Sequence, residues 1–247
     1  MPRKPRQISE SGIYHIMLRG INQQVIFEDE EDYFKFISTL EIYKAISGYK
    51  VFAYCLMSNH IHILLKTEKE DLDLIMKRIA GSYVYWYNWK YHRSGHLFQD
   101  RFKSEPVDDD SYFLTVLRYI HQNPTKAKLC KLTEDYPYSS MREYMKYPVL
   151  SDTSFALSML TLQEFVEFHQ QQNDDQCMEV DDKKRLTDED ARALILKITK
   201  CRNAAEFQQL EKAERNECIR KLHDKGISIR QISRLTGLSK RIVEWNL

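Results

Sequence analysis

The chain of 247 residues has little of what several protein classes need. It contains 7 glycines and 6 prolines, too few for a collagen-like or low-complexity protein. No apolar run reaches the roughly 18 residues that a membrane-spanning helix requires. The 5 cysteines are scattered and include no CxxC pair, which argues against a zinc ribbon and against a disulfide framework. We therefore expect reduced thiols, a cytoplasmic location and no membrane partner.

Positive and negative charges nearly cancel over the whole chain, but they do not cancel within its regions. The 37 basic and 36 acidic residues give a net charge of +1. The net charge is +2 in residues 1–150, −8 in residues 151–190 and +7 in residues 191–247. This division predicts a first domain, an acidic connector and a basic C-terminal module with those bounds. The alternative is an acidic loop inside one domain.

Hydrophobic periodicity predicts alternating strands and helices in the first domain. Three alternating or β-branched runs predict strands, at residues 12–20, 49–57 and 60–66. Two stretches with helical spacing follow the first and the third of these runs, at residues 29–47 and 71–92. The polar break at Ser58 and Asn59 predicts a hairpin between the second and third strands.

The first domain is predicted to end with one more strand and one more helix. Residues 102–107 predict an edge strand, because Pro106 cannot donate to a central ladder. An acidic start at residue 108 favours a last helix, which we expect Pro124 to end. The order β-α-β-β-α-β-α favours an α+β fold, a ferredoxin-like split βαβ antiparallel sheet with helices on one face.

Two histidines on one predicted strand are candidate metal ligands. His60 and His62 are two residues apart, so both imidazoles project from the same face, whereas Ile61 points the other way. Such a pair can chelate one divalent ion through neutral ring nitrogens. A pair of surface or hydrogen-bonded histidines is the alternative. His15 on the first strand could face the same site, although a structural histidine is the favoured interpretation there.

The last predicted helix of the first domain supplies two further candidates. Tyr119 and Asn123 are four residues apart and share one helix face. Beside two histidines, they would provide a nucleophilic phenol and a third metal ligand. The alternative is a buried tyrosine followed by an asparagine that ends the helix.

These residues lie in segments that resemble the HUH (His-hydrophobic-His) single-tyrosine transposases. This superfamily is the insertion-sequence-200-like one, and the similarity is greatest to its REP-associated tyrosine transposases. The resemblance covers roughly residues 8–148. It rests on five segments in the family's order, YHIMLRG at residues 14–20, AYCLMSNHIHILL at 53–65, GHLFQDRFKS at 95–104, RYIHQNPTKAKL at 118–129 and YPYSS at 136–140.

The resemblance implies that single-stranded DNA is cleaved and rejoined near hairpins. Tyr119 would be the nucleophile that forms a 5′-phosphotyrosine. His60 and His62 would hold a divalent cation, Mg²⁺ or Mn²⁺, that polarises the scissile phosphate. Many relatives have a glutamine as third ligand where this chain has Asn123. His121 is turned by about 200° from Tyr119 on the helix, and we leave it outside the site.

Basic residues near the predicted site are candidate DNA contacts. Arg101 and Lys103 lie beside the predicted fourth strand, where they would meet phosphates. The N-terminal arm with Arg3, Lys4 and Arg6 could reach a groove or a single strand. A terminus that makes no contact with DNA is the alternative for this arm.

The C-terminal module resembles a helix-turn-helix. Its segment QISRLTGLSKRIV has the spacing of that motif, with TGLS at the turn. Ser239, Lys240 and Arg241 would begin the recognition helix, from which major-groove contacts originate. The charge of +7 favours DNA as the partner. A three-helix protein-interaction module is the alternative.

The sequence favours one function over two others. The leading hypothesis is a metal-dependent tyrosine transposase, or a domesticated relative, that acts on single-stranded or hairpin-forming DNA. The alternatives are a non-catalytic DNA-binding regulator with the same fold and a small metallohydrolase with a water nucleophile. A homodimer and a monomer are both compatible with the resemblance.

Overall fold

The computed structural model describes residues 6–175, 177–178 and 186–247. The chain forms two compact units, Met1–Val180 and Asp181–Leu247. Within the described ranges, no helix is long and apolar enough to cross a membrane. All five cysteines are free thiols.

The first unit contains a four-stranded antiparallel sheet. Its strands are β1 (Ile13–Arg19), β2 (Lys50–Met57), β3 (His60–Lys66) and β4 (Lys103–Pro106). They lie in the order β2-β3-β1-β4, and all three neighbouring pairs are antiparallel. β4 is an edge strand, as Pro106 requires. The predicted ferredoxin-like α+β fold is therefore confirmed.

Two helices cover one face of this sheet, as predicted. They are α1 (Glu30–Ser47) and α2 (Leu72–Lys90). A capping box between Asp29 and Asp32 begins α1, and Gly48 ends it with a φ of +65°. Alternate strand residues, among them Ile61, meet the two helices in a buried apolar core. The other set of alternating residues, which includes both candidate histidines, therefore points to the opposite face.

The opposite face is covered by α3 (Asp110–Lys126). Asp109 caps this helix by accepting a hydrogen bond from the backbone N–H of Tyr112. Its apolar side chains pack against β2 and β3 in a second buried core. α3 continues through Pro124, two residues beyond its predicted end. A proline in the last turn removes only one helical hydrogen bond, so the helix tolerates it.

Three shorter helices complete the first unit. They are α4 (Met141–Met145), α5 (Ser154–Met159) and α6 (Leu162–Gln170). Ala156 and Phe165 are fully buried in the core beside α3. Two helices thus pack on the same side of the sheet as α3 within the stretch for which the sequence predicts a connector, residues 151–190. Residues 176 and 179–185 of that stretch lie outside the described ranges.

The second unit is built of helices throughout its described residues. They are α7 (Asp188–Thr199), α8 (Ala204–Gln209), α9 (Lys212–Asp224), α10 (Ile229–Thr236) and α11 (Lys240–Trp245). Their apolar faces meet in a core of their own, with Phe207, Leu222 and Val243 fully buried. Gly237, with a φ of +70°, makes the turn between α10 and α11. The predicted all-α character of this module is confirmed.

Candidate active site

The alternation of β3 places His60 and His62 on the face of the sheet that α3 covers. The two rings lie 5.2 Å apart between centroids and are perpendicular. His62 is 1% exposed, whereas His60 is only partly buried. Burial, together with the neighbouring His15 and His60, holds the pKa of His62 well below its usual range. His62 is therefore neutral, as a metal ligand must be.

A hydrogen bond on its outer nitrogen orients His60. The Asn59 amide donates to the carbonyl of Gln23 at 3.4 Å, which leaves its Oδ1 to accept from His60 Nδ1 at 2.7 Å. His60 Nε2 then carries a lone pair. This nitrogen lies 3.4 Å from Oδ1 of Asn123, which also has lone pairs to offer. Two acceptor atoms so close together are suited to binding a common cation.

α3 brings Tyr119 and Asn123 to the same site. Val116, Leu117 and Ile120 are fully buried against the sheet, and this contact fixes the rotation of the helix. The Tyr119 ring lies edge-on to His62, with 5.6 Å between ring centroids. Only 4% of Tyr119 is exposed. The ammonium of Lys126, one turn beyond Asn123, lies 5.1 Å from the Tyr119 ring centroid.

His15, which the sequence interpretation left outside the site, contacts it directly. Its Nε2 lies 2.9 Å from Nδ1 of His62, and its ring centroid is 5.8 Å from that of Tyr119. Burial lowers the pKa of His15, although the nearby Glu105 carboxylate opposes this effect. The available signal was an imidazole in the middle of a strand where its nearest neighbours on the same face, Ile13 and Met17, are apolar. His121 lies outside the site, as expected, and contacts His169 and Ser140 instead.

The donor set fits a divalent cation. No group of three or more His, Cys, Asp or Glu in the described part of the chain is arranged to hold a metal ion. The three predicted ligands supply two imidazole nitrogens and one amide oxygen instead. A neighbouring side chain contacts Nδ1 of each histidine, Asn59 at His60 and His15 at His62, so Nε2 is the nitrogen that each would offer to a metal. These residues therefore suit a divalent cation.

The candidate DNA contacts of the first unit differ in their surroundings: two are exposed, and one is held in an ion pair. Lys103 pairs with Met17, and Met17 pairs with His62, so these three residues form one row across the sheet. Lys103 and Arg101 are exposed. The guanidinium of Arg6 forms an ion pair with Asp73 and lies 3.6 Å above the ring of Phe102. Arg3 and Lys4 lie outside the described residues.

The C-terminal candidates lie at the start of α11. The Ser239 side chain accepts a hydrogen bond from the backbone of Ile242 and thereby caps the helix. Lys240 forms an ion pair with Glu244 at 3.1 Å on the same helix. Arg241 is exposed.

Comparisons with known proteins support one family. Residues 9–123 match the sequence model described as "Transposase IS200 like". A Haemophilus influenzae protein named as a REP-associated tyrosine transposase is 29% identical over 111 residues, which are 40% of this chain and 62% of that relative. The match thus spans less than two thirds of the relative's length.

A solved structure shows the same fold. A REP-associated tyrosine transposase bound to a REP hairpin superimposes with a TM-score of 0.51 and 15% sequence identity, over 62% of this chain and 93% of that one. At this identity, the likeness is one of fold alone. Together with the sequence matches, it confirms the resemblance of this chain to the IS200-like transposases and, among them, to the REP-associated tyrosine transposases.

Proposed function

We propose that this chain is a metal-dependent tyrosine transposase, or a domesticated relative, that cleaves and rejoins single-stranded DNA near hairpins. The observation that carries the proposal is the convergence of four side chains from two elements. Tyr119 lies edge-on to His62 with 5.6 Å between the rings, and Asn123 lies 3.4 Å from His60. A phenol beside a metal-ligand set is the arrangement that strand cleavage through a phosphotyrosine needs.

The chemistry assigned to Tyr119 is a phosphoryl transfer. Its oxygen bonds to phosphorus, the bond from phosphorus to the 3′ oxygen breaks, and one proton passes overall from the phenol to that leaving oxygen. The products are a 5′-phosphotyrosine and a free 3′-hydroxyl. Because the ester conserves the energy of the broken bond, attack by a 3′-hydroxyl can rejoin a strand and free the tyrosine.

His60, His62 and Asn123 are the proposed ligands of Mg²⁺ or Mn²⁺. The cation, when bound, withdraws negative charge from the scissile phosphate. The residues of this chain hold the ligands in place, since each imidazole is fixed through Nδ1 by a neighbouring side chain. The mixed nitrogen and oxygen donors suit Mn²⁺ better than Mg²⁺, which prefers oxygen ligands alone.

DNA is the proposed partner of both units. A structural relative of the first unit was solved with a REP hairpin, which supports hairpin DNA as the substrate of this chain. Lys103 and Lys126 are exposed cations near the site, and Arg101 is exposed two residues before Lys103; all three would contact phosphates. In the second unit, Arg241 and its neighbours at the start of α11 would contact the major groove. We propose a helix-turn-helix role for α10 and α11 on this basis.

The decisive experiment asks whether Tyr119 becomes covalently bound to DNA. Wild-type protein should form a labelled adduct in the presence of Mn²⁺ when the hairpin oligonucleotide carries its label on the 3′ side of the nick, in the fragment whose 5′-phosphate joins the tyrosine. Tyr119→Phe should abolish the adduct and retain hairpin binding. Tyr144→Phe is the matched control, because Tyr144 is also buried beside α3 and donates to the carbonyl of Phe52, away from the site.

The outcomes separate the rival functions. Undiminished adduct in Tyr119→Phe would remove this residue from the role. Cleavage that persists in the variant with no covalent intermediate would support a metallohydrolase with a water nucleophile. A wild-type protein that binds hairpins but nicks none of a broad set, with either metal, would support a DNA-binding regulator.

A further inference from the structure

A diagonal row of three ionisable side chains crosses the sheet behind the proposed metal site, in which His62 contacts His15 across the diagonal rather than as its paired residue. His62 belongs to β3, His15 to the neighbouring β1 and Glu105 to the edge strand β4, where it is the direct partner of His15. His15 is fully buried and His62 is 1% exposed. Apolar residues would fill these inward positions of the sheet at a lower desolvation cost, so the polar row calls for another explanation.

The contacts along the row fix which nitrogen carries each proton. The Glu105 carboxylate lies 3.7 Å from Nδ1 of His15, and this nitrogen has no hydrogen-bond partner among the described residues. A carboxylate that close favours the proton on Nδ1 and leaves Nε2 as an acceptor. His15 Nε2 lies 2.9 Å from Nδ1 of His62, which must therefore donate. The lone pair of His62 is then on Nε2.

Glu105 is itself held in place. It accepts a hydrogen bond from the backbone N–H of Met178 at 3.2 Å. Contact with His15 lowers its pKa, and a side-chain hydrogen bond from Tyr112 on α3 contributes in the same direction. The carboxylate is thus ionised near neutral pH, with three partners from different parts of the unit around it.

We propose that His15 and Glu105 are positioning residues that hold His62 in its Nδ1–H tautomer and present Nε2 to the metal. The proposal rests on the metal site of the proposed function. It extends that site from three ligands to a carboxylate–histidine–histidine relay across three strands. Outer partners of this kind orient a ligating imidazole and raise its affinity for the metal, and their loss lowers metal affinity by roughly 10- to 100-fold.

The relay predicts different effects for two substitutions of His15. His15→Leu removes the acceptor and should change the tautomer of His62 and weaken Mn²⁺ binding by about 10- to 100-fold. His15→Gln supplies a carbonyl oxygen near the former Nε2 position and should restore most of both properties. Glu105→Leu, on a partly exposed edge, should weaken Mn²⁺ binding by a smaller factor.

Two measurements on the full chain test these effects. Long-range ¹H–¹⁵N spectra of histidine-labelled protein without metal report the tautomer of His62, and titration with Mn²⁺ reports its affinity. His169→Leu is the matched control, because it removes another buried histidine–histidine contact of 2.9 Å that lies outside the site. It should leave both properties of the metal site unchanged.

Specific results would overturn the relay. Wild-type tautomer and Mn²⁺ affinity in His15→Leu would do so, and equal losses in His15→Leu and His15→Gln would assign His15 a purely structural role. If His15→Leu does not fold, unchanged Mn²⁺ affinity in Glu105→Leu would contradict the relay instead. A wild-type chain that binds no Mn²⁺ would remove the metal site of the proposed function, while the spectra would still decide whether His15 fixes His62.

Discussion

Nδ1 of His121 lies 2.9 Å from Nε2 of His169, and this contact joins α3 to α6 in the core of the first unit. His169 Nδ1 donates to the carbonyl of Phe165 at 2.7 Å, so its Nε2 must accept from His121. His121 Nε2 in turn accepts from the hydroxyl of Ser140 at 2.8 Å. In this series of hydrogen bonds, from Ser140 through His121 and His169 to Phe165, each imidazole donates from one nitrogen and accepts at the other, so both rings are neutral.

This arrangement predicts a loss of stability in mild acid. Burial lowers the pKa of His169 to about 4, with the charge of Arg118 adding to the effect and the Phe165 carbonyl opposing it. The unfolded ring titrates near 6.5, at about its ordinary value. The unfolded state therefore binds the proton first, and the contribution of His169 to stability, complete above about pH 6.5, is lost as pH falls toward 4.

Urea unfolding of wild type and His169→Leu at pH 7 and pH 5 measures this contribution. Wild type should lose about 2 kcal/mol more than the variant over this interval, since each pH unit between the two pKa values is worth about 1.4 kcal/mol. Parallel losses in the two proteins would show that His169 is not the group responsible.

We expect Asp175→Ala to destabilise the first unit by about 3 kcal/mol. Arg118 donates to both carboxylate oxygens of Asp175 at 2.8 Å, and the two side chains are only 10% and 12% exposed. The substitution would leave a largely buried guanidinium with one long hydrogen bond, to Gln171 at 3.4 Å, and a stacking contact with the Phe168 ring at 3.9 Å, neither of which neutralises its charge. Chemical denaturation measures the change, and Asp174→Ala, at an exposed position, is the control. Equal stability of the two variants would contradict the expectation.

Gly20→Ala should disturb the support of His60. A methyl group at residue 20 would overlap the carbonyl oxygen of Gln24. The backbone N–H of Gly20 donates to the carbonyl of Asn59 at 2.9 Å. Asn59 in turn orients His60. We expect a loss of about 1–3 kcal/mol in stability, typical of overpacking, and weaker Mn²⁺ binding.

Gly81→Ala is the control for that experiment. Residue 81 lies inside α2, and a methyl group there would meet nothing within 4 Å. It should stabilise the chain by roughly 0.5–1 kcal/mol, because alanine is the better helix former. Denaturant unfolding and Mn²⁺ titration of both variants decide the matter, and a Gly20→Ala protein as stable as Gly81→Ala would refute the close approach.

Lys126→Ala should slow adduct formation roughly tenfold at saturating hairpin DNA, because it removes a positive charge that would attract the scissile phosphate. The Lys126 ammonium lies 5.1 Å from the Tyr119 ring centroid and is exposed. Lys126→Arg should retain most of the rate, since it keeps the charge. Lys146→Ala, at another exposed position, should react at the wild-type rate. A rate unaffected by Lys126→Ala would assign this lysine no part in the reaction.

Much of the fold follows from local patterns. The alternation around Ile61 fixes which face of β3 carries the two histidines, and the helical spacing from Tyr119 to Asn123 fixes their common face. Both are properties of a single element, so the sequence predicts them. Helical spacing also explains the aromatic segment YVYWYNWKYH at residues 83–92. Tyr83 and Tyr87 are buried on one face of the helix, and Tyr85 and Trp89 are exposed on the other.

The remainder depends on contacts between distant segments. The place of His15 depends on β1 lying between β3 and β4, which no property of residues 13–19 specifies. The helices α5 and α6 lie in an acidic stretch, and Phe165 is buried only because α3 and α4 form a surface that receives it. The sequence predicts that Pro124 ends α3, but this proline is buried in the helix, which continues for two more residues.

The small exposed fraction of Tyr119, 4%, has a consequence for the fate of a cut strand. An ester formed at such a position would be shielded from bulk solvent, which is the competitor that could hydrolyse it. A 3′-hydroxyl already held in the site would need no diffusion to reach the same phosphorus. In the proposed reaction, burial of Tyr119 would thus bias the partition of the covalent intermediate toward resealing or transfer, and away from an irreversible break in the DNA.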